Sequence, residues 1–237
     1  PGVETTFSSV YTIYGSGVVQ VDNQLNSTDY KADIPRIGLQ MQLLKKYENM
    51  TYNGRGPWEN YQDRKASAFV DVYTSTVSDQ YVPYIRPQEN GNKTGVRWAA
   101  FSDNDNNGLL VISSLKNKGN LGMSALHMLN EDFDATPGLD YGGDNKKLDD
   151  TYKTDGVPEI NLHKHTNDIK ERDLVQLNID LAQRGVGGDD SWGARPLEKY
   201  TIKGDAIHTY SFYMVPFENG SKELFVENFK EYYPLQE

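Results

Sequence analysis

Alternation is the feature that most narrows the folds open to this chain. In RIGLQMQLL, residues 36–44, Ile37, Leu39, Met41 and Leu43 share one face, the period of a half-buried strand. RDLVQLNIDLA at 172–182 repeats the pattern, with Leu174, Gln176, Asn178 and Asp180 opposite Val175, Leu177, Ile179 and Leu181. FSSVYTIY (7–14) and VVQVDNQL (18–25) flank the turn GSG at 15–17 and read as a hairpin. VRWAAF (96–101), GLLVISSL (108–115), LGMSALHML (121–129), KYTIK (199–203) and HTYSFYMVPF (208–217) supply further strands. Gly, Asn and Asp punctuate them. No stretch before residue 218 carries a convincing 3.6-residue period. Many short strands with turn signals between them predict an all-β chain folded as an antiparallel sandwich.

Two segments stand apart. Residues 130–160 are acidic, broken by Gly and Pro, and without period. They read as one long loop, insertion-like over 131–160, and a loop of this length in a compact domain is functional or mobile. Residues 218–237 form a tail in which KELFVENFKEYY fits a short amphipathic helix, with Leu224, Phe225 and Phe229 on one side. A lone helix this short is marginal in water unless it docks.

Composition excludes several classes. The chain has 237 residues, long enough to bury a core without metals or disulfides. It has no cysteine, which rules out disulfides and zinc–thiolate sites and fits a cytoplasm or a periplasm equally. A net charge of −10 repels phosphates and anionic lipid, so no nucleic-acid or membrane partner is expected. No apolar run approaches the roughly 20 residues of a bilayer span. The first residue is Pro1, with no charged-then-apolar leader, and the chain is read as a piece of a longer one. Sixteen tyrosines in an acidic chain fit carbohydrate binding, and equally an ordinary sandwich core.

Few motifs carry chemistry of their own. DNDNNG at 103–108 starts like a calcium loop, but Ser114 stands where the twelfth-position glutamate belongs, so a hairpin turn is expected. His163 and His165 share a face and have no third ligand near in sequence. GDDSWG has its glycine three residues before Ser191, out of register for a nucleophile elbow. GSGVVQ lacks the third glycine of a dinucleotide loop. Glu59 and Glu89 each precede Asn in turn-like loops. Their expected work is to tie down the N–H groups of a sharp turn, not to serve as a catalytic pair.

Three strings then line up in order: NGRGPWENYQDR at 53–64, YVPYIRPQENGNKTGVRW at 81–98, and GVGGDDSWG at 185–193. With RIGLQMQL before them and YSFYMVPF after, they resemble the C-terminal, small-chain (domain 5) module of the long β-galactosidases of glycoside hydrolase family 2. The resemblance runs from about Thr5 to Phe217.

It implies a galactose-mutarotase-like supersandwich beside a catalytic barrel in a retaining enzyme that cleaves terminal β-D-galactosides. In that family the tryptophan of G-G-D-D-S-W is an aromatic platform for the sugar, here Trp192. Asp189 and Asp190 would brace the loop or meet sugar hydroxyls, and Gly187 and Gly188 would allow its backbone angles. Both catalytic glutamates and the magnesium ion belong to the barrel, which is absent. The chain alone is therefore expected to hold no catalytic residue, metal or cofactor and to be inactive. Asn130-Glu131 mimics the family's Asn-Glu pair but lacks its surroundings. The module's early strands are also missing, and 130–160 is longer than the family's connection. Alternatives are a free-standing carbohydrate-binding module, a homo-oligomerising piece using the tail, and an epimerase, for which none of His127, His163, His165 and His208 sits in a mutarotase motif.

Overall fold

The computed structural model describes residues 5–85, 88–117, 120–133, 166–188 and 194–233. Among them, eleven strands precede one helix: β1 (Thr6–Ile13), β2 (Val19–Asn26), β3 (Arg36–Leu44), β4 (Asn49–Gly56), β5 (Phe69–Thr76), β6 (Lys93–Val96), β7 (Trp98–Ser102), β8 (Gly108–Ser113), β9 (Leu121–Leu126), β10 (Leu174–Gln183), β11 (Ile207–Phe217) and α1 (Lys222–Tyr232). They form a seven-stranded sheet, β1-β2-β11-β8-β7-β4-β5, and a four-stranded sheet, β3-β10-β9-β6. Neighbouring strands run antiparallel throughout both sheets.

The predicted alternation sets the core. Ile37 on β3 and Val175, Leu177 and Ile179 on β10 meet Met123 and Ala125 of β9 on one side. Val21, Met50, Tyr52, Phe101, Val111 and Phe212 face them from the larger sheet. Side chains of period two from two sheets thus close one apolar layer. The chain is an all-β two-sheet sandwich.

Three sequence expectations need correction. VRWAAF is not one strand. The chain leaves the small sheet after Val96 and enters the large one at Trp98. Arg97 is the corner, its N–H bonded to the Asn53 carbonyl at 2.8 Å. KYTIK is not a strand either. Glu198–Tyr200 is a single 3-10 turn, and Ile202 enters the core as an isolated anchor. Its carbonyl accepts one bond from Ile34 at 2.9 Å. Alternation over five residues was too short to separate an anchored loop from a strand. Conversely β4 and β5 were missed. β4 reads NMTYNGRG and lacks the β-branched signature, while β5 is an edge strand whose apolar residues Phe69 and Val70 stay exposed.

The tail helix docks. Ser221 caps it, accepting from the Leu224 N–H at 3.2 Å. Leu224, Phe225 and Phe229 pack with Val226 and Tyr232 against Trp98, Ala100, Leu110 and Phe217 on the outer face of the large sheet. Phe225 lies 5.8 Å from Trp98 and 4.9 Å from Phe217, centroid to centroid. This second apolar layer supplies what eleven helical residues lack alone.

The small sheet's outer face is polar and nonetheless covered. Gln176, Asn178 and Asp180 of β10 and Ser124 of β9 are all buried there, and the candidate site is built over them.

Candidate functional site

The three strings quoted above meet at one end of the sandwich. The first leaves β4 through GPWENYQDR. Asn60, 1% exposed, fastens it to the second. Its Oδ1 accepts from the Thr94 N–H at 2.9 Å and from the Thr94 hydroxyl. Its Nδ2 donates to the Arg55 and Trp58 carbonyls at 3.0 and 3.1 Å. The backbones also pair, Asn60 N–H to the Asn92 carbonyl at 2.7 Å, and Asn92 Nδ2 returns a bond to the Asn60 carbonyl at 2.8 Å.

Glu59 accepts from the Gly91 N–H at 2.8 Å, from the Tyr61 hydroxyl at 3.2 Å, and from Tyr84 and Arg64. Burial pushes the ammonium of Lys93 down to about 8, and the Glu59 charge opposes that shift. Glu89 differs. Its carboxylate pairs with Arg36 at 3.2 Å and is half exposed.

The third string starts where β10 ends. Arg184 and Gly185 donate to the Pro35 and Tyr200 carbonyls at 3.0 and 2.8 Å. Val186 N–H then meets Asp63 Oδ1 at 3.1 Å, and Gly187 N–H meets Oδ2 at 2.8 Å. One carboxylate thus takes two successive amides, as in an anion nest. The glycines are required by space and angle. A Cβ at Gly185 would sit 2.5 Å from that carboxylate, and one at Gly187 would sit 2.7 Å from the Ala194 carbonyl. Gly187 and Gly188 have φ of 69° and 96°, the left-handed region other residues resist. Asp189, Asp190 and Trp192 lie outside the described residues. Asp63 was not singled out from sequence, although it stands in the first string.

Replacing Asp63 with alanine strands both amides, a loss of about 1–3 kcal/mol of local stability. Hydrogen exchange of the Val186 and Gly187 amides is expected to quicken by about 10–100-fold. An unchanged exchange rate would show that Asp63 does not hold this stem.

Across from the loop stems stands Arg36. Its Nη2 reaches Glu89 and Gln183, the latter at 2.9 Å, and its Nε lies 3.1 Å from Asp180 Oδ2. Asp180 is 1% exposed. Its neighbours across both adjoining strands are Gly38 and Gly122. A Cβ at Gly38 would fall 1.8 Å from Asp180 Oδ1, so that glycine makes room for the carboxylate. Burial pushes the Asp180 carboxyl up to about 7, with Arg36 opposing and Glu89 adding to the rise. A cavity of about 470 Å³ opens between this cluster and the loop, walled by Arg36, Glu89, Gln183, Val186, Ala194 and Pro196. It holds donors and acceptors beside apolar ring and methyl surface, the mixture a polar small molecule needs.

Other candidates fall elsewhere. His127 is buried between the Leu174 carbonyl, 2.6 Å from Nδ1, and the Glu48 carboxylate. His208 Nε2 sits 2.8 Å from the Lys203 carbonyl. His163, His165 and residues 134–160 of the acidic segment lie outside the described residues. Asn130 trades hydrogen bonds with Asn178, and Glu131 follows it in a 3-10 turn. Residues 103–107 close the β7–β8 hairpin, with Asp103 Oδ1 accepting from the amides of Asp105 and Asn107 at 3.1 and 3.0 Å. Among the described residues, no group of three or more His, Asp or Glu is placed to hold a metal.

Residues 2–216 match the family model of the β-galactosidase small chain. A β-galactosidase of Priestia megaterium is 30% identical over 206 residues, 87% of this chain and 17% of that protein. One from Photobacterium profundum is 27% identical over 220 residues, covering 92% and 18%, and one from Streptococcus thermophilus is 27% identical over 184 residues, covering 78% and 15%. The chain thus spans less than a fifth of the length of each of these relatives. The convergence of its three strings on one site and the match over nearly all its length place it: this chain belongs to the β-galactosidase small-chain family.

Proposed function

We propose that this chain acts as the C-terminal, non-catalytic module of a retaining β-galactosidase and lends that enzyme one aromatic wall of its sugar site. The observation that carries this role is the frame around residues 189–193. Asp63 pins the entry stem, and Gly187 packs against the exit stem at Ala194. Such a frame fixes the described stems on either side of the segment that carries Trp192.

The chemistry follows from the parts. An indole face stacks on the apolar CH face of a galactoside, contributing about 1–3 kcal/mol as other aromatic anchors do. It also keeps water from that side of the ring. Asp189 and Asp190 brace the loop or meet hydroxyls. The acid/base and nucleophile glutamates, and the magnesium ion, come from the barrel of the same polypeptide. Among the described carboxylates, Glu59 holds a turn, Glu89 pairs with Arg36, and Asp180 is buried beside the same guanidinium.

The isolated 237-residue chain is expected to release no chromophore from an aryl β-galactoside above the buffer rate. Robust turnover by the purified chain would overturn the non-catalytic role.

A further inference from the structure

A second cavity shares Arg36, Gln88 and Glu89 with the first and extends over the outer face of β9 through Ser124 and Leu126. It measures about 170 Å³ and is lined by Arg36, Gln88, Glu89, Ser124, Asn130 and Phe133, among others. Among the described residues of the 185–196 segment, none lines it. At about 30 Å³ per water it holds roughly five or six waters, or one six-membered ring of similar bulk.

We propose that this cavity is a second carbohydrate site, taking one neutral polyhydroxylated ring independently of the Trp192 loop. Three observations carry it. The first is unspent hydrogen-bonding capacity at depth. Ser124 is 2% exposed, and its Oγ accepts from Asn178 Nδ2 at 2.8 Å while its own proton has no partner among the described residues. Asn130 and Asn178 exchange two bonds, which leaves Asn130 one N–H and one lone pair. Gln88 makes no hydrogen bond among the described residues. Donors and acceptors thus alternate around the cavity, as hydroxyls that both give and take require.

The second is charge. Arg36 faces two carboxylates, Glu89 and Asp180. An anion entering here meets the Glu89 carboxylate, and a simple cation meets the guanidinium. A neutral ligand escapes both penalties. The third is shape. Phe133 and Leu126 add apolar surface to the cavity beside its amides, and the CH face of a sugar ring fits such a surface.

The test uses the 237-residue chain and three probes: galactose, myo-inositol, and sulfate as an anionic control. Saturation-transfer NMR and calorimetric titration are expected to show millimolar binding of galactose or myo-inositol and none of sulfate. Ser124→Leu, which fills the cavity, weakens that binding by about tenfold or more. Asn130→Ala, at a half-buried position that lines this cavity and not the larger one, weakens it by about threefold to tenfold. Trp192→Ala leaves it unchanged, which separates this site from the loop. The proposal is overturned if neither neutral probe binds, if sulfate binds in their place, if binding survives both cavity variants, or if Trp192→Ala abolishes it.

Discussion

Asn60→Ala is expected to cost this chain about 3 kcal/mol or more, among the larger single-residue effects available to it. The side chain is 1% exposed and spends all its capacity. It receives the Thr94 amide and hydroxyl and donates to two carbonyls, Arg55 and Trp58. Truncation leaves those groups buried and unpaired, at about 1–3 kcal/mol each where water cannot reach them. In a chain of this size about 3 kcal/mol lowers the melting temperature by roughly 6–12 °C. Asn60→Asp keeps the acceptor for Thr94 but sets a buried carboxyl oxygen against both carbonyls, so it is expected to cost at least as much as alanine. A thermal melt checks both. A shift of a degree or less in Asn60→Ala would mean that the two strings are held together by their backbones alone.

The second large effect concerns binding. In the full-length enzyme, Trp192→Ala is expected to remove the proposed stacking surface of about 1–3 kcal/mol, which is roughly 5- to 150-fold in affinity for the sugar. The fold is expected not to change. Trp192→Phe restores part of the platform and is expected to recover part of the affinity. Loss confined to KM points to uniform binding of ground and transition states, and loss in kcat points to a wall that tightens as the reaction proceeds.

Strand faces were legible in the sequence because period-two alternation is local. Ile37, Leu39, Met41 and Leu43 turn to the core as their spacing requires. What alternation cannot say is whether the opposite face meets water. Gln176, Asn178 and Asp180 read as an ordinary polar face, and they are buried under the 88–90 and 130–133 segments. That covering is a long-range fact, set by chain segments about 50 to 90 residues away. The same limit hid Arg36 and Asp63. Arg36 opens a regular strand, and only the register that sets Asp180 between two glycines marks it as part of a site. Asp63 stood inside a quoted motif, yet its partners at Val186 and Gly187 lie more than a hundred residues on. The motif strings marked what matters, and the fold supplied why: they are one hydrogen-bonded unit seen in three pieces.

The central claim, that this module's loop forms part of a galactoside site made elsewhere in the polypeptide, is tested most directly by steady-state kinetics on the full-length enzyme with lactose. Native protein and Trp192→Ala are compared, with a melt on each to verify the fold. The account predicts equal melting temperatures and a kcat/KM lower by about 5- to 150-fold in the variant. Equal melting temperatures with unchanged kinetics on lactose and on aryl galactosides would contradict it.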